Sequence, residues 1–190
     1  MATVQVALWV VMVLVALAIL FDFMNGFHDA ANSIATVVST GVLKPGQAVV
    51  FAAFFNLVAI FIFHLSVAAT VGKGIAQTGV VDVHVVFGAL VGAISWNLVT
   101  WYYGIPSSSS HALIGGIVGA VIAKTGTGGL VASGIWKTVA FIFVSPFLGF
   151  VLGSMMMVLV AWGFRRATPS RVDRWFRRLQ LVSAGAYSLG

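Results

Sequence analysis

Two short polar clusters hold the groups in this chain best suited to chemistry. The first is Asn25-Gly26-Phe27-His28-Asp29-Ala30-Ala31-Asn32 and the second is Pro106-Ser107-Ser108-Ser109-Ser110-His111. Asp29 and Asn32 stand three residues apart, so on a helix they share a face and offer a carboxylate and an amide to one ion. Gly26 is expected to break the helix there, freeing carbonyls for a cation and amide N–H groups for an anion. In the second cluster a proline suits a first helical turn and serines suit its cap. Free amides, the positive end of the helix dipole and several hydroxyls then suit an oxyanion such as phosphate or sulfate. Each cluster also has a plainer reading. His28 and Asp29 could form a buried structural pair, and the serines could simply cap a helix re-entering the membrane, although capping alone needs one serine.

The setting of these groups sharpens the question. The chain has 190 residues, of which 61% are hydrophobic and only 7% charged, against about 25% charged in soluble domains; its mean hydropathy is +1.09. Lipid is therefore the solvent of most of the surface. Charges at membrane depth cost about 2.5–3.5 kcal/mol each on insertion scales, so they face a cavity or a partner. Desolvating a phosphate costs far more, and a nearby carboxylate such as Asp29 repels it unless a proton or metal ion intervenes. A coupled cation follows from that chemistry.

The elements that position the clusters can be read from apolar runs, since about 20 apolar residues cross the hydrocarbon core as a helix. Val4 to Phe21 is the first span, and Ile34 to Val42 turns apolar again after the first cluster. Ala48 to Val71 and Val83 to Tyr103 are the next spans, with turns at Lys44-Pro45-Gly46, Gly72-Lys73-Gly74 and Gly104-Ile105-Pro106. A glycine-rich half-length stretch, Ala112 to Ala123, follows the serines, and Gly134 to Phe164 is the longest run, with Pro146 as an expected kink. Half-length apolar segments flanking polar clusters point to a transporter site near the midplane. Gly88/Gly92, Gly115/Gly119 and Gly149/Gly153 are each four apart, a spacing that lets helix backbones approach in lipid. Asp22 is one turn from Asn25 and can line the same cavity. His64, His84, Asn56 and Asn97 read first as core or interfacial groups.

The formal charge of +6 is not a nucleic-acid signal. Six arginines and one aspartate lie between Arg165 and Arg178, and beside a span this places residues 165–178 in the cytoplasm. Ser170 and Asp173 have capping-box spacing, and Val172, Trp175, Phe176 and Leu179 then share one helical face. The segment reads as an amphipathic helix on the membrane surface. With no cysteine there is neither a disulfide nor a thiolate site.

At these residues the chain resembles the inorganic phosphate transporter (PiT) family, in its bacterial low-affinity branch. The family signature Gly-Ala-Asn-Asp-x-Ala-Asn is similar to residues 26–32, with Gly26, Asp29, Ala31 and Asn32 matching. The family element Pro-x-Ser-Thr-Thr-His is similar to Pro106 through His111, with serines for threonines, and Arg178 through Ser183 resembles the opening of the family's second half. The resemblance implies one half of an inverted-repeat transporter, an all-α polytopic bundle with broken or re-entrant helices. It implies symport of inorganic phosphate with a proton or sodium ion, with phosphate contacts at Asp29, Asn32, Ser108, Ser109 and Ser110. Asn25, His28, Asp29 and Asn32 are the candidates for cation or proton coupling. His28 stands where the family has asparagine, which favours a titrating group over sodium, and a divalent metal accompanying phosphate is compatible with the branch.

The expected organisation is a transmembrane repeat over 1–164, a basic amphipathic segment over 165–182, and the start of a second half over 183–190. A carboxy-terminal half bearing the second signature is the expected protein partner. Membrane lipid and inorganic phosphate are the others, a homo-oligomer is compatible, and nucleic acid is not expected. The expected place is a bacterial inner membrane, and no resident cofactor is implied. A channel or a structural membrane subunit is the alternative function. An enzyme is not expected, because neither a Gly-x-Ser-x-Gly elbow nor a His-Glu-x-x-His pair occurs.

Overall fold

A computed structural model describes residues 7–62, 74–77 and 79–189, with the side chains of Asp29 and Ala30 excepted. The amino-terminal edge of the first expected span, the far end of the second, and His64 lie outside the described residues. The described residues form helices α1 (Leu8–Ser39), α2 (Pro45–Ile62), α3 (Val83–Tyr103), α4 (Ser109–Thr125), α5 (Ala132–Phe164) and α6 (Pro169–Ser188), with a single 3-10 turn at Thr127–Gly129. Four of them, α1, α2, α3 and α5, are long and apolar enough to cross a membrane. At 17 residues α4 is shorter, as expected for a half-length element. The all-helical reading holds.

Two expectations about helix breaks are corrected. α1 runs unbroken through Gly26 for 32 residues. One glycine costs about 1 kcal/mol relative to alanine in a helix interior, whereas each backbone group left unpaired in hydrocarbon costs several kcal/mol. Continuing the helix is the cheaper course. The real interruption comes between α3 and α4. Gly104 adopts φ 64°, a left-handed conformation that suits glycine, and its neighbour Ile105 donates its N–H to Thr100 O at 2.8 Å. Pro106 therefore lies in the connection, two residues before the Ser108 cap, rather than in the first turn of α4.

The chain divides into two compact units, Met1–Asp29 with Leu65–Ile135 and Ala30–His64 with Trp136–Gly190. In the first, α3 and α4 form an antiparallel hairpin. Small residues let them approach: a Cβ added at Gly88 would sit 3.3 Å from Ala120, one at Gly92 would sit 3.7 Å from Gly116 Cα, and one at Gly116 would collide with the Ala89 carbonyl oxygen. Val85, Val121 and Ala76 form the buried cluster at the base of the hairpin, and Leu130 packs against it. Gln77 donates its N–H to Gly129 O at 2.9 Å, and Val131 to Ile75 O at 2.8 Å, clasping the flanking segments.

The base of the hairpin also carries its fixed charges. Asp82 caps α3 by accepting from Val85 N at 3.0 Å and pairs with Lys124 of α4 at 2.8 Å. The Lys124 ammonium and then the Val85 amide hold the Asp82 carboxyl far below the usual carboxylate range. A carboxyl whose pKa falls on folding stabilises the fold above its unfolded pKa and ceases to as pH drops through the folded value. The thermal-stability gap between the parent chain and Asp82→Asn should therefore be flat between pH 5 and 8 and narrow only below about pH 4. Melting the two proteins in detergent across that range checks this; a gap that closes near neutrality would contradict it.

In the second unit, Val37 of α1, Ala48 of α2 and Ala184 of α6 make the buried cluster. Gly185 meets the Phe55 ring, where an added Cβ would lie 3.0 Å away, and Thr40 donates to Gln180 Oε1 at 2.8 Å. The expected capping box at Ser170 does not form. Thr168 is the N-cap residue and Pro169 opens the helix, because proline's fixed φ suits the first helical position. Asp173 instead accepts from Arg177 at 3.1 Å. α6 continues as one helix to Ser188, across the boundary expected at residue 182. α5 continues through Pro146 and has no buried residue, and among the described residues nothing lies within 4 Å of a Cβ added at Gly149 or Gly153.

Candidate functional site

The first unit brings the two polar clusters together at one hydrogen bond. Ser109, the first residue of α4 and 95% buried, donates its hydroxyl to Asn25 Oδ1 of α1. Two residues on, α1 also meets α3 through apolar groups, where the Phe27 ring lies 5.8 Å from Trp101 in an edge-to-face arrangement. Asn25 is thus held beside the start of α4 by packing and by a polar contact, and the serine turn is tied to the end of α1's first-unit segment.

The turn itself is braced from below. Ser107 donates to Thr100 Oγ1 at 3.0 Å, and Thr100 in turn donates to the Trp96 and Asn97 carbonyls at 3.0 and 3.1 Å. Ser108 is the N-cap residue, its hydroxyl accepting from His111 N at 3.4 Å. Ser110 and His111 follow in the first turn and are exposed. Four serines in a row therefore do four different things: one braces, one caps, one grips α1 and one is presented outward. The first amides of a helix have no partner within it and lie at the positive end of its dipole. A groove of about 590 Å³ runs from Ser107, Ser108 and His111 along Trp96, Gly92 and Gly115.

Two groups near this region, one half-buried and one buried, carry unused capacity. His28 bonds through Nδ1 to the Met24 carbonyl at 3.0 Å. A carbonyl only accepts, so Nδ1 holds the proton and Nε2 carries a lone pair in the neutral ring. That Nε2 is buried and has no partner among the described residues. Asn97 is wholly buried, and neither atom of its amide has a partner among the described residues.

The remaining candidates separate. Asn32 lies in the part of α1 that belongs to the second unit, with its own polar interaction, and the Asp29 side chain is outside the described residues. Asp22 and Asn56 are exposed, and His84 is exposed beside Asp82 at 3.4 Å. Sequence reasoning missed Thr100. The signal was its place one turn before a glycine–proline connection, where the returning chain must pass close to the end of α3. It also missed Gly116, which makes the tight approach that Gly115 and Gly119 do not.

Comparison with known proteins settles the family. The phosphate transporter family matches residues 25–190. The chain belongs to the phosphate transporter family. It is 58% identical over 93% of its length to a probable low-affinity inorganic phosphate transporter of Rhizobium meliloti (strain 1021), covering 53% of that protein. It is 43% identical over 97% of its length to a protein of the same description from Bacillus subtilis (strain 168), covering 56% of it. The chain thus spans about half the length of these relatives. Among solved structures it resembles a sodium-dependent phosphate transporter, with a TM-score of 0.78 and 28% identity over 86% of this chain and 42% of that one. Both polar clusters fall within the matched residues. The phosphate transporter family is one of carriers and not of enzymes, and its membership agrees with the four apolar helices as those of an integral membrane protein.

Proposed function

We propose that this chain supplies one half of a carrier that moves inorganic phosphate across a bacterial inner membrane together with a proton. The hydrogen bond between Ser109 and Asn25 is the observation that supports this reading most strongly. It joins the helix end suited to an oxyanion with the α1 segment that contains His28 and Asp29. Phosphate sits at the start of α4 against Ser108, Ser109 and Ser110, where hydroxyl donors and the helix dipole offset the cost of removing it from water. Asp29 is the family-matched contact from the part of α1 that belongs to the same unit. A carboxylate beside phosphate requires a positive charge between them, and that requirement couples the anion to a cation.

His28 is the group we assign to the coupled proton. Its Nδ1 is committed to Met24, so the buried Nε2 is the atom that accepts. Protonation places a positive charge next to Asp29 in sequence and on the helix that holds Asn25. The Rhizobium and Bacillus relatives are about twice this chain's length, and we assign the other half of the binding site to a partner segment bearing the second family signature. Residues 165–178 lie on the cytoplasmic side in this reading, in keeping with their arginines.

The test is uptake of labelled phosphate into inside-out or right-side-out vesicles from phosphate-carrier-deficient bacteria, with the chain coexpressed with the carboxy-terminal half of a relative. Uptake is expected to follow an imposed pH gradient, to ignore a sodium gradient, and to lose its pH response in His28→Asn. Uptake driven by sodium and indifferent to pH would end the assignment to His28. Robust uptake by the chain without the second half would remove the need for a partner.

A further inference from the structure

We propose that the exposed side of α6 is a docking surface for anionic phospholipid headgroups. Arg171, Arg174 and Arg178 are spaced i, i+3 and i+7, which sets them in one stripe of the helix, and all three are exposed. Among the described residues the ion pair on this helix is Arg177 with Asp173; the stripe arginines have no carboxylate of their own. Beside that stripe, at the i, i+4 and i+7 spacing, Trp175, Leu179 and Val182 are 59%, 49% and 69% exposed. A cationic row and an apolar row thus run side by side along the same uncovered surface.

Elsewhere the helix is packed, with Gly185 and Ser188 continuing the line of the arginines towards its carboxy-terminal end. Ala184, Gly185 and Ser188 are buried, Gly185 lies against Phe55, and Phe176 stacks edge-on with Phe164 at 5.3 Å. The carboxy-terminal turns of α6 are therefore pinned to their unit while the first turns present the two rows outward. α6 starts five residues after the span α5 ends at Phe164, so its beginning is tethered at the membrane surface. Arg165 lies 5.2 Å over the Trp162 ring, the same pairing of cation and aromatic at the end of that span.

This arrangement selects lipid over a soluble anion. Free phosphate would use the arginines and leave Trp175, Leu179 and Val182 in water, whereas a phospholipid supplies a phosphodiester for one row and acyl chain for the other. The surface needs only the membrane placement of α5 and is independent of phosphate carriage.

The experiment uses the full 190-residue chain in nanodiscs containing equal phosphatidylcholine and phosphatidylglycerol, with native mass spectrometry counting the lipids that remain bound. The parent chain is expected to retain phosphatidylglycerol preferentially. The triple variant R171Q/R174Q/R178Q should lose that preference by about tenfold or more, and R171K/R174K/R178K, which keeps the charges, should hold most of it. Equal retention by the glutamine variant and the parent would overturn the proposal. So would displacement of phosphatidylglycerol by millimolar inorganic phosphate, which would make the stripe a soluble-anion site. Loss in the lysine variant equal to that in the glutamine variant would also count against it, since charge would not then be what binds.

Discussion

Gly116→Val is expected to open the α3–α4 hairpin and to abolish phosphate uptake with it. A Cβ at position 116 would collide with the Ala89 carbonyl oxygen and stand 3.1 and 3.2 Å from the Ala89 carbonyl carbon and Cα. All three are backbone atoms in the middle of α3, so no rotamer change relieves the contact, and the helices must separate. Overpacking of this kind costs about 1–3 kcal/mol where side chains can yield, and here they cannot. The cost should sit at or above the upper end. The neighbouring Gly119→Val is the control, because nothing lies within 4 Å of a Cβ there. Thermal unfolding in detergent followed by circular dichroism, together with protease cleavage in the Gly104–Ser107 connection, should show a large loss for Gly116→Val and a small one for Gly119→Val. Similar melting of the two variants would mean that α3 and α4 do not approach at Ala89. Because Ser108 and Ser109 begin α4, any separation of the pair displaces the serine turn, and transport should fail before the chain as a whole unfolds.

Gly116 also shows where sequence reasoning stops. The spacing of Gly115 and Gly119 identifies α4 as a helix that can be approached closely, but three glycines within five residues leave the contacting face open by one position. Only the register against Ala89 chooses Gly116, and register is set by the lengths of the connections and by what packs behind the hairpin. Gly26 is a second case. A glycine after a polar residue at membrane depth is equally compatible with a break and with a continuous helix, and the decision rests on whether neighbouring groups can satisfy the freed backbone. In α1 the helical bonds themselves win. The capping box at Ser170 failed for a local reason, since Pro169 competes for the same turn and its fixed dihedral starts the helix earlier. What composition and turn chemistry could state, they stated well. The apolar runs marked α2, α3 and α5 but divided α1 in two, while Gly104 marked the end of α3 and the serine run the start of α4. The grip of Ser109 was out of reach, because Asn25 comes from a helix 84 residues away in sequence.

The contact between Asn25 and Ser109 should be measurable as a coupling energy. Ser109 is almost fully buried, so Asn25→Ala strands a hydroxyl in a low-dielectric site, and Ser109→Ala strands the Asn25 amide. Each single change should lower phosphate affinity, because leaving a buried polar group unmatched costs about 1–3 kcal/mol and loosens the start of α4. The double variant should cost less than the sum of the two, since neither partner then waits for the other; residues in one hydrogen-bond network couple by about 0.5–3 kcal/mol. Apparent phosphate affinity from uptake by the coexpressed halves is the readout, where 1.4 kcal/mol corresponds to about tenfold. Strictly additive effects would mean the two side chains act separately. Asn25→Asp separates grip from charge. A carboxylate accepts from Ser109 at least as well as an amide and should preserve the hairpin's melting temperature, yet it adds a negative charge beside the proposed anion site. Stability kept and phosphate affinity lost is the expected outcome for Asn25→Asp, with the deficit shrinking as the medium is acidified and the new carboxylate takes a proton. Affinity lost equally at every pH would place Asn25 away from the phosphate and leave it only the task of holding α4 in place.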